Sequence, residues 1–290
     1  MIYQKSLRDT QEALKVHIND YYEMLEYLSR WADIPFRVTF QKDLFSNSKM
    51  AEIIRYVVER HNVLGEQLSP RYQKLGIRAA CPVAGCFLSE KHGRLNYYKL
   101  CEPGKGLVGG NEVQISFQCP YHGRHRVRSS SFTDLRRLEA NAPSRNLIRI
   151  MSNLLDTETH HIRVTGSDYA GLYQEAFLYR PLAEWSVVTG HAAQRTPHIL
   201  YSPLVVDWSG AKLSKSLYLQ GDSYESIKLF GTYGLVGYCK MGKGTGVDNS
   251  VRLHALWLEV GKWFEDPKML FRAYSVEYFH LIMQGKAQMS

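Results

Sequence analysis

Apolar residues alternate between helical and strand spacing along the first part of the chain. Residues 3–16 carry helical spacing, and Ala13-Leu-Lys-Val-His-Ile18 predicts a short strand leading into Asn19-Asp-Tyr-Tyr-Glu23. From Tyr22 to Trp31 the apolar positions Met24, Leu25, Leu28 and Trp31 predict a helix. Pro35 breaks it, and Phe36-Arg-Val-Thr-Phe40 alternates as a strand does. Asn47 or Ser48 is placed to cap a helix from Met50 to Leu64, ended by Gly65. This β-α-β-α order predicts an α/β fold with parallel strands.

Residues 77–130 break that order with cysteines, glycines (Gly104, Gly106, Gly109, Gly110) and a strand at Val113–Phe117. They read as an insertion standing off the main layer. It divides the α/β domain into a first part, 1–76, and a second part, 131–220, with a helical region over 221–290. Within the second part a helix, Leu147–Leu155, leads to a strand at His161–Thr165, then Gly166-Ser-Asp168 and another helix. A second apolar strand, Ile199–Val206, runs into the loop Asp207–Ser216. The tail is helical with one break at Gly242–Gly246.

Composition narrows the class. At 44% hydrophobic and 22% charged residues the 290-residue chain is globular, which excludes disordered and fibrous classes. No apolar run approaches the roughly 20 residues of a membrane helix, and the N-terminal residues lack the apolar core of a signal peptide. A soluble, cytoplasmic protein with no membrane partner is expected. The net charge of +8 favours a polyanionic partner, nucleic acid before membrane.

Four of the five cysteines precede residue 120. Cys81-Pro-Val-Ala-Gly-Cys86 and Cys119-Pro-Tyr-His122 form a C-x4-C and a C-x2-H knuckle on turn-forming residues. Three thiolates and one imidazole satisfy tetrahedral zinc with no open position, so the expected role is structural. Closing the segment between the knuckles supplies order that a small insertion cannot obtain from burial. Cys101, inside that segment, is an alternative ligand, and Cys239 reads as an ordinary core residue. Directly after His122 come Arg124, Arg126 and Arg128, then Arg136, Arg137, Arg145 and Arg149. Arginines beside a zinc knuckle suit contact with a phosphate backbone; a solvated basic face fits the same pattern.

Lys212-Leu-Ser-Lys-Ser216 follows the second apolar strand and a Ser209-Gly210-Ala211 turn. Two lysines and two hydroxyls on such a loop are suited to neutralise phosphates. Here the chain resembles the class I aminoacyl-tRNA synthetases, whose second signature is Lys-Met-Ser-Lys-Ser, and is most similar to their lysyl type. That type also carries zinc knuckles between the halves of its nucleotide-binding fold, a Gly-x-Asp segment like Gly166-Ser-Asp168, and an early acidic segment. The resemblance covers roughly residues 10–220. It implies a Rossmann-like class I catalytic fold, with Gly166, Asp168, Lys212, Ser214 and Lys215 binding substrate.

Two departures limit that resemblance. The first signature, His-Ile-Gly-His, is missing, together with its strand: His17-Ile-Asn lacks the glycine that lets a backbone approach ATP phosphates. The chain beyond the loop is also too short for the large anticodon-reading domain. Cyclodipeptide synthases resemble class I catalytic domains and join aminoacyl groups from charged tRNAs. The fungal arginine-containing type has an Asp-Asp-x-x-Glu motif, which Asn19-Asp20-Tyr-Tyr-Glu23 matches except for Asn19. The resemblance implies that Asp20 and Glu23 are catalytic, beside a substrate-binding Asn19. One carboxylate is suited to hold a cationic group and the other to take a proton from the attacking amine. A helix N-cap and its capping-box partner fit the same spacing, and an N-cap is also an alternative for Asp168.

Three functions remain open. The first is a tRNA-dependent cyclodipeptide synthase-like aminoacyltransferase that uses arginyl-tRNA and other charged tRNAs without ATP. The second is an ATP-dependent, amino-acid-adenylating relative of lysyl-tRNA synthetase, favoured by Lys212 and Lys215. The third is a catalytically inactive tRNA-binding module.

Overall fold

The computed structural model describes residues 3–5, 11–101, 112–180, 196–207, 209–213 and 248–285. Ser214 and Lys215 lie outside the described residues, as do Cys239, the glycines of 104–110 and the break at 242–246. Within them the chain is mixed α/β with small sheets. No helix among the described residues is long and apolar enough to cross a membrane.

Strand β1 (Tyr3–Lys5) is followed by α1 (Gln11–Ala32), α2 (Gln41–Leu44), α3 (Met50–Glu59) and α4 (His61–Leu68). The strand expected at Ala13–Ile18 is instead part of α1. Nothing between Gln11 and Ala32 breaks a helix, and Leu14, Ile18, Leu25 and Leu28 keep its period through the β-branched residues. Residues 34–40 are likewise not in a ladder; Phe36 packs on Tyr22 with ring centroids 6.4 Å apart. The expected parallel layer therefore does not run through these two segments. Gly65 does not end its helix but sits buried inside α4, where a Cβ would lie 2.9 Å from the Gln73 carbonyl oxygen.

The chain continues through β2 (Ile77–Ala79), β3 (Leu88–Glu90), β4 (Tyr97–Leu100), β5 (Val113–Cys119) and β6 (Gly123–Arg128). Next come α5 (Phe132–Leu135), β7 (Leu138–Ala140), α6 (Ala142–Leu154) and β8 (Ile162–Gly166). Asn141 caps α6 by accepting the Ser144 N–H at 3.0 Å, with Pro143 in the first turn. After β8 a 3-10 turn, Ser167–Tyr169, leads through 170–172 to a π-helical segment, Tyr173–Tyr179. The apolar run Ile199–Val206 divides at Pro203, which has no N–H to donate, into β9 (His198–Ser202) and β10 (Leu204–Val206). Helix α7 (Asn249–Glu265), a 3-10 segment (Pro267–Phe271), β11 (Ala273–Ser275) and α8 (Val276–Met283) follow.

The described residues fall into two compact units, 1–14, 38–163 and 171–198 forming the first and 15–37, 164–170 and 199–290 the second. In the first, the apolar face of α3 (Ile53, Ile54, Val57) and that of α6 (Leu147, Ile148, Met151) are fully buried. Three antiparallel sheets, β1–β3, β2–β7 and β4–β5–β6, lie in this unit. Arg78 and Glu139 are register partners across β2–β7, both buried, with Nε donating to Oε2 at 3.0 Å. Removing one partner leaves the other charge buried without this ion pair. Arg78→Met is expected to cost about 3–5 kcal/mol in denaturant unfolding, most of it recovered when Glu139→Leu is added. A double variant as unstable as the single one contradicts this.

In the second unit β10 pairs with β11 in parallel. Trp263 stacks on Tyr274 at 4.4 Å, and Trp31 of α1 lies 4.8 Å from His254 and 6.2 Å from Trp257 of α7. Glu259, buried on α7, accepts hydrogen bonds from Tyr278 Oη, Lys262 Nζ (2.9 Å) and Trp263 Nε1 (3.2 Å). Burial pushes its carboxyl up, but the Tyr278 and Lys262 contacts outweigh burial and hold it below the ordinary value. A depressed folded value stabilises the protein above the unfolded pKa of about 4.3, and this is lost as pH falls through the folded value. Wild type is therefore expected to exceed Glu259→Gln in melting temperature at pH 7, with a gap that narrows as the pH falls below about 4. A constant gap across that range contradicts the assignment.

Candidate functional site

The two knuckles meet in the first unit. The Cys81 N–H donates to the Leu88 carbonyl at 3.0 Å and the Cys86 N–H to Val83 at 3.1 Å, closing a tight turn. Cys119 ends β5 and pairs with Gly123 at the start of β6, so Pro120, Tyr121 and His122 form the hairpin tip. The ligand atoms of Cys81, Cys86, Cys119 and His122 all lie within 4.8 Å of one another. Cys81 Sγ is 3.5 Å and Cys119 Sγ 3.6 Å from His122 Nδ1, and Cys86 Sγ is 3.7 Å from Cys119 Sγ.

A tetrahedral ion with Zn–S of about 2.3 Å and Zn–N of about 2.0 Å gives ligand–ligand edges of about 3.5–3.8 Å. The donor set and its spacing are compatible with a bound metal such as zinc. Burial pushes the Cys81 thiol up to about 11, against a backbone hydrogen bond at Val83. At Cys119 burial acts the same way, but the backbone N–H groups of Tyr121 and His122, with the His122 side chain, outweigh it and bring the thiol to about 7. The expected four residues are thus the ones brought together. Cys101 is not among them; its N–H donates to the Glu112 carbonyl at 2.7 Å. An open cleft lined by Lys5, Gly85, Leu88 and Tyr121 adjoins Cys86 and His122.

The hairpin that carries Cys119 and His122 also places the arginines. Along β6, His125 and Val127 face inward while Arg124, Arg126 and Arg128 are exposed on the other side. On the inner side His125 stacks on Phe117 and lies 3.3 Å from the Ala79 carbonyl through Nε2. The outer side continues across the sheet onto Tyr97 and Lys99 of β4, a strand the sequence pattern did not indicate. Its only signal is the alternation in Tyr97-Tyr-Lys-Leu100.

A second constellation lies in the second unit. Asp207 Oδ1 accepts the Ser209 N–H (2.9 Å), the Ser209 hydroxyl (2.6 Å) and the Ala211 N–H (3.0 Å). This reversal brings Lys212 back beside Val206, and the Leu213 N–H donates to the Val205 carbonyl at 3.0 Å. Val205 and Leu213 pack against buried Val276, which anchors the start of the loop. From the other side, Gly166 ends β8 where a Cβ would lie 2.6 Å from Asp168 Oδ1, so a side chain there would displace the carboxylate. Asp168 accepts a hydrogen bond and ion pair from Lys212 Nζ, which also sits 5.4 Å from the Tyr169 ring centroid.

The structure thus joins Gly166, Asp168 and Lys212. Asp168 pairs with a lysine rather than capping a helix; Gly166 occupies the cap position of the following turn. Asn19, Asp20 and Glu23 stand well inside α1, so neither carboxylate is an N-cap. Asp20 is half-buried, Asn19 and Glu23 are exposed, and the two acids share one face a turn apart. No protein-family model, curated protein or solved structure matches the chain.

Proposed function

We propose that this chain is a tRNA-dependent, cyclodipeptide synthase-like aminoacyltransferase. It joins two aminoacyl groups, one of them arginyl, on a Rossmann-like class I synthetase fold. The observation that carries the proposal is the Asp168–Lys212 pair. Two segments distant in sequence, each resembling a substrate-binding signature of one family, meet side chain to side chain. The parallel strand pair β10–β11 leads directly into that loop.

In this reading an amine nitrogen attacks the ester carbonyl of the other aminoacyl group. The C–N bond forms, the ester C–O bond breaks, and the tRNA ribose hydroxyl leaves with a proton. A second attack by the freed amine closes the ring and releases the second tRNA. Lys212 supplies positive charge for the oxyanion of each attack, and Asp168 holds the α-ammonium. Asp20 and Glu23 hold the arginyl guanidinium and receive the proton shed by the amine. The Cys81, Cys86, Cys119 and His122 cluster holds a structural zinc with no position left for substrate. Arg124, Arg126 and Arg128 contact the tRNA backbone.

Lys212 also favours a second reading, an ATP-dependent adenylating enzyme, because an ammonium stabilises a triphosphate. Arginyl-tRNA given to the protein without ATP is expected to lose its ester faster than it hydrolyses spontaneously. Amino-acid-dependent ATP–pyrophosphate exchange is expected to be absent. Exchange instead establishes the adenylating enzyme, and neither reaction leaves an inactive tRNA-binding module.

A further inference from the structure

Direct pairing in an antiparallel sheet puts partners on the same face, so the register of β4–β5–β6 fixes what its outer side presents. Arg128 stands opposite Gln114, and Gln114 opposite Lys99. Arg126 stands opposite Ser116, and Ser116 opposite Tyr97, while Arg124 faces Gln118. Val113, Ile115, Phe117 and Val127 on the other side are buried core. The outer face thus carries four cations and an aromatic ring. None of the three strands contains an aspartate or glutamate. All three arginines and Lys99 are exposed, and Tyr97 is 58% exposed.

Two neighbouring carboxylates are already engaged. Asp134 accepts the Arg128 N–H and pairs with Arg137, and Glu112 accepts from the Ser130 hydroxyl. Among the described residues no ion pair involves Arg124, Arg126, Arg128 or Lys99.

We infer that this zinc-braced sheet face binds unpaired RNA, its arginine row taking successive phosphates while a base stacks on Tyr97. Alternate residues of a strand are about 7 Å apart, so three arginines form a rigid row matched to an extended backbone rather than a diffuse cloud. An exposed tyrosine two strands from that row and level with its middle arginine suits a base whose face is free, which a duplex withholds. Gln114 and Gln118 supply amide donors and acceptors beside it, suited to base edges. The inference rests on the tRNA reading only in identifying the RNA as an unpaired end or loop of tRNA; the surface itself follows from register and charge.

The test is fluorescence anisotropy of the full chain with a labelled 12-nucleotide RNA, single-stranded or as a duplex, at two salt concentrations. The single strand is expected to bind at least tenfold tighter than the duplex. Replacing Arg124, Arg126 and Arg128 together by glutamine is expected to lower the salt slope by about 2, from roughly 0.7 per lost contact. Tyr97→Ala is expected to weaken binding about 5- to 150-fold while Tyr97→Phe retains it. Metal content of each variant reports that the sheet is intact.

Equal or tighter duplex binding, or unchanged binding by the triple variant, overturns the surface whatever the enzyme assay gives. Oligonucleotide binding that depends on these residues, in a protein that forms no peptide, upholds the surface and overturns the proposed chemistry. Tighter binding of polyglutamate than of RNA overturns the surface in favour of an acidic protein partner.

Discussion

Cys119→Ser is expected to empty the metal centre and loosen the segment between the knuckles. Cys119 is fully buried, terminates β5 and lies within 4 Å of both Cys86 Sγ and His122 Nδ1. Losing it removes one of four ligands and also the hinge of the β5–β6 hairpin. Structural zinc sites in small peptides are worth about 10–16 kcal/mol at neutral pH. Even a quarter of that is about 3 kcal/mol, or a fall of roughly 6–12 °C in melting temperature for a domain of this size. Metal analysis is expected to drop from one equivalent per chain to near zero. Cys101→Ser, outside the cluster, is expected to retain both metal and stability. A Cys119→Ser protein with wild-type metal content and melting temperature contradicts the assignment.

Asp168→Asn and Lys212→Ala are expected to leave folding and metal content unchanged and to lower turnover of charged tRNA by about 10²–10³-fold, the usual loss of one charge-stabilising group. Because the two groups are paired, their effects are not independent. The double variant is expected to be little worse than the more damaging single one, as for residues acting as a unit. Multiplying effects place them in separate roles, and a loss below threefold in either variant removes the pair from the site. Asp20→Asn and Glu23→Gln test the acidic pair on α1 in the same assay.

The clustering of Cys81, Cys86, Cys119 and His122 was legible because each pair is local: a few turn residues bring two donors to one point, and spacing alone reports that. The start of the Lys212 loop was legible for a similar reason, since its strand and turn are contiguous. Helices α3 and α6 followed from amphipathic period, although α3 is preceded by Lys49 with no side-chain cap rather than capped by Asn47 or Ser48, and the helix expected to reach Leu64 breaks at Arg60. Pairing between distant segments was not legible. Strands of three or four residues such as β2, β4 and β7 are shorter than the window in which alternation can be recognised, and their partners lie far along the chain. Arg78 and Glu139, separated by 61 positions, meet only through such a ladder. The expected strand at Ala13–Ile18 failed because Leu14 and Ile18, four residues apart, begin the helical stripe that Leu25 and Leu28 continue, and propensity yields to the longer period. Asp168 and Lys212 were each singled out, yet only the folded chain reveals that the loop reversal at Asp207 joins them.

The most direct test is mass spectrometry of the small molecules formed when purified protein meets tRNAs charged with arginine and a mixture of other amino acids, with no ATP present. A new cyclic dipeptide containing arginine, absent with Asp168→Asn or Lys212→Ala protein, is the predicted result. Charged tRNAs that remain intact, or a product that appears only when ATP is added, contradict the proposed function.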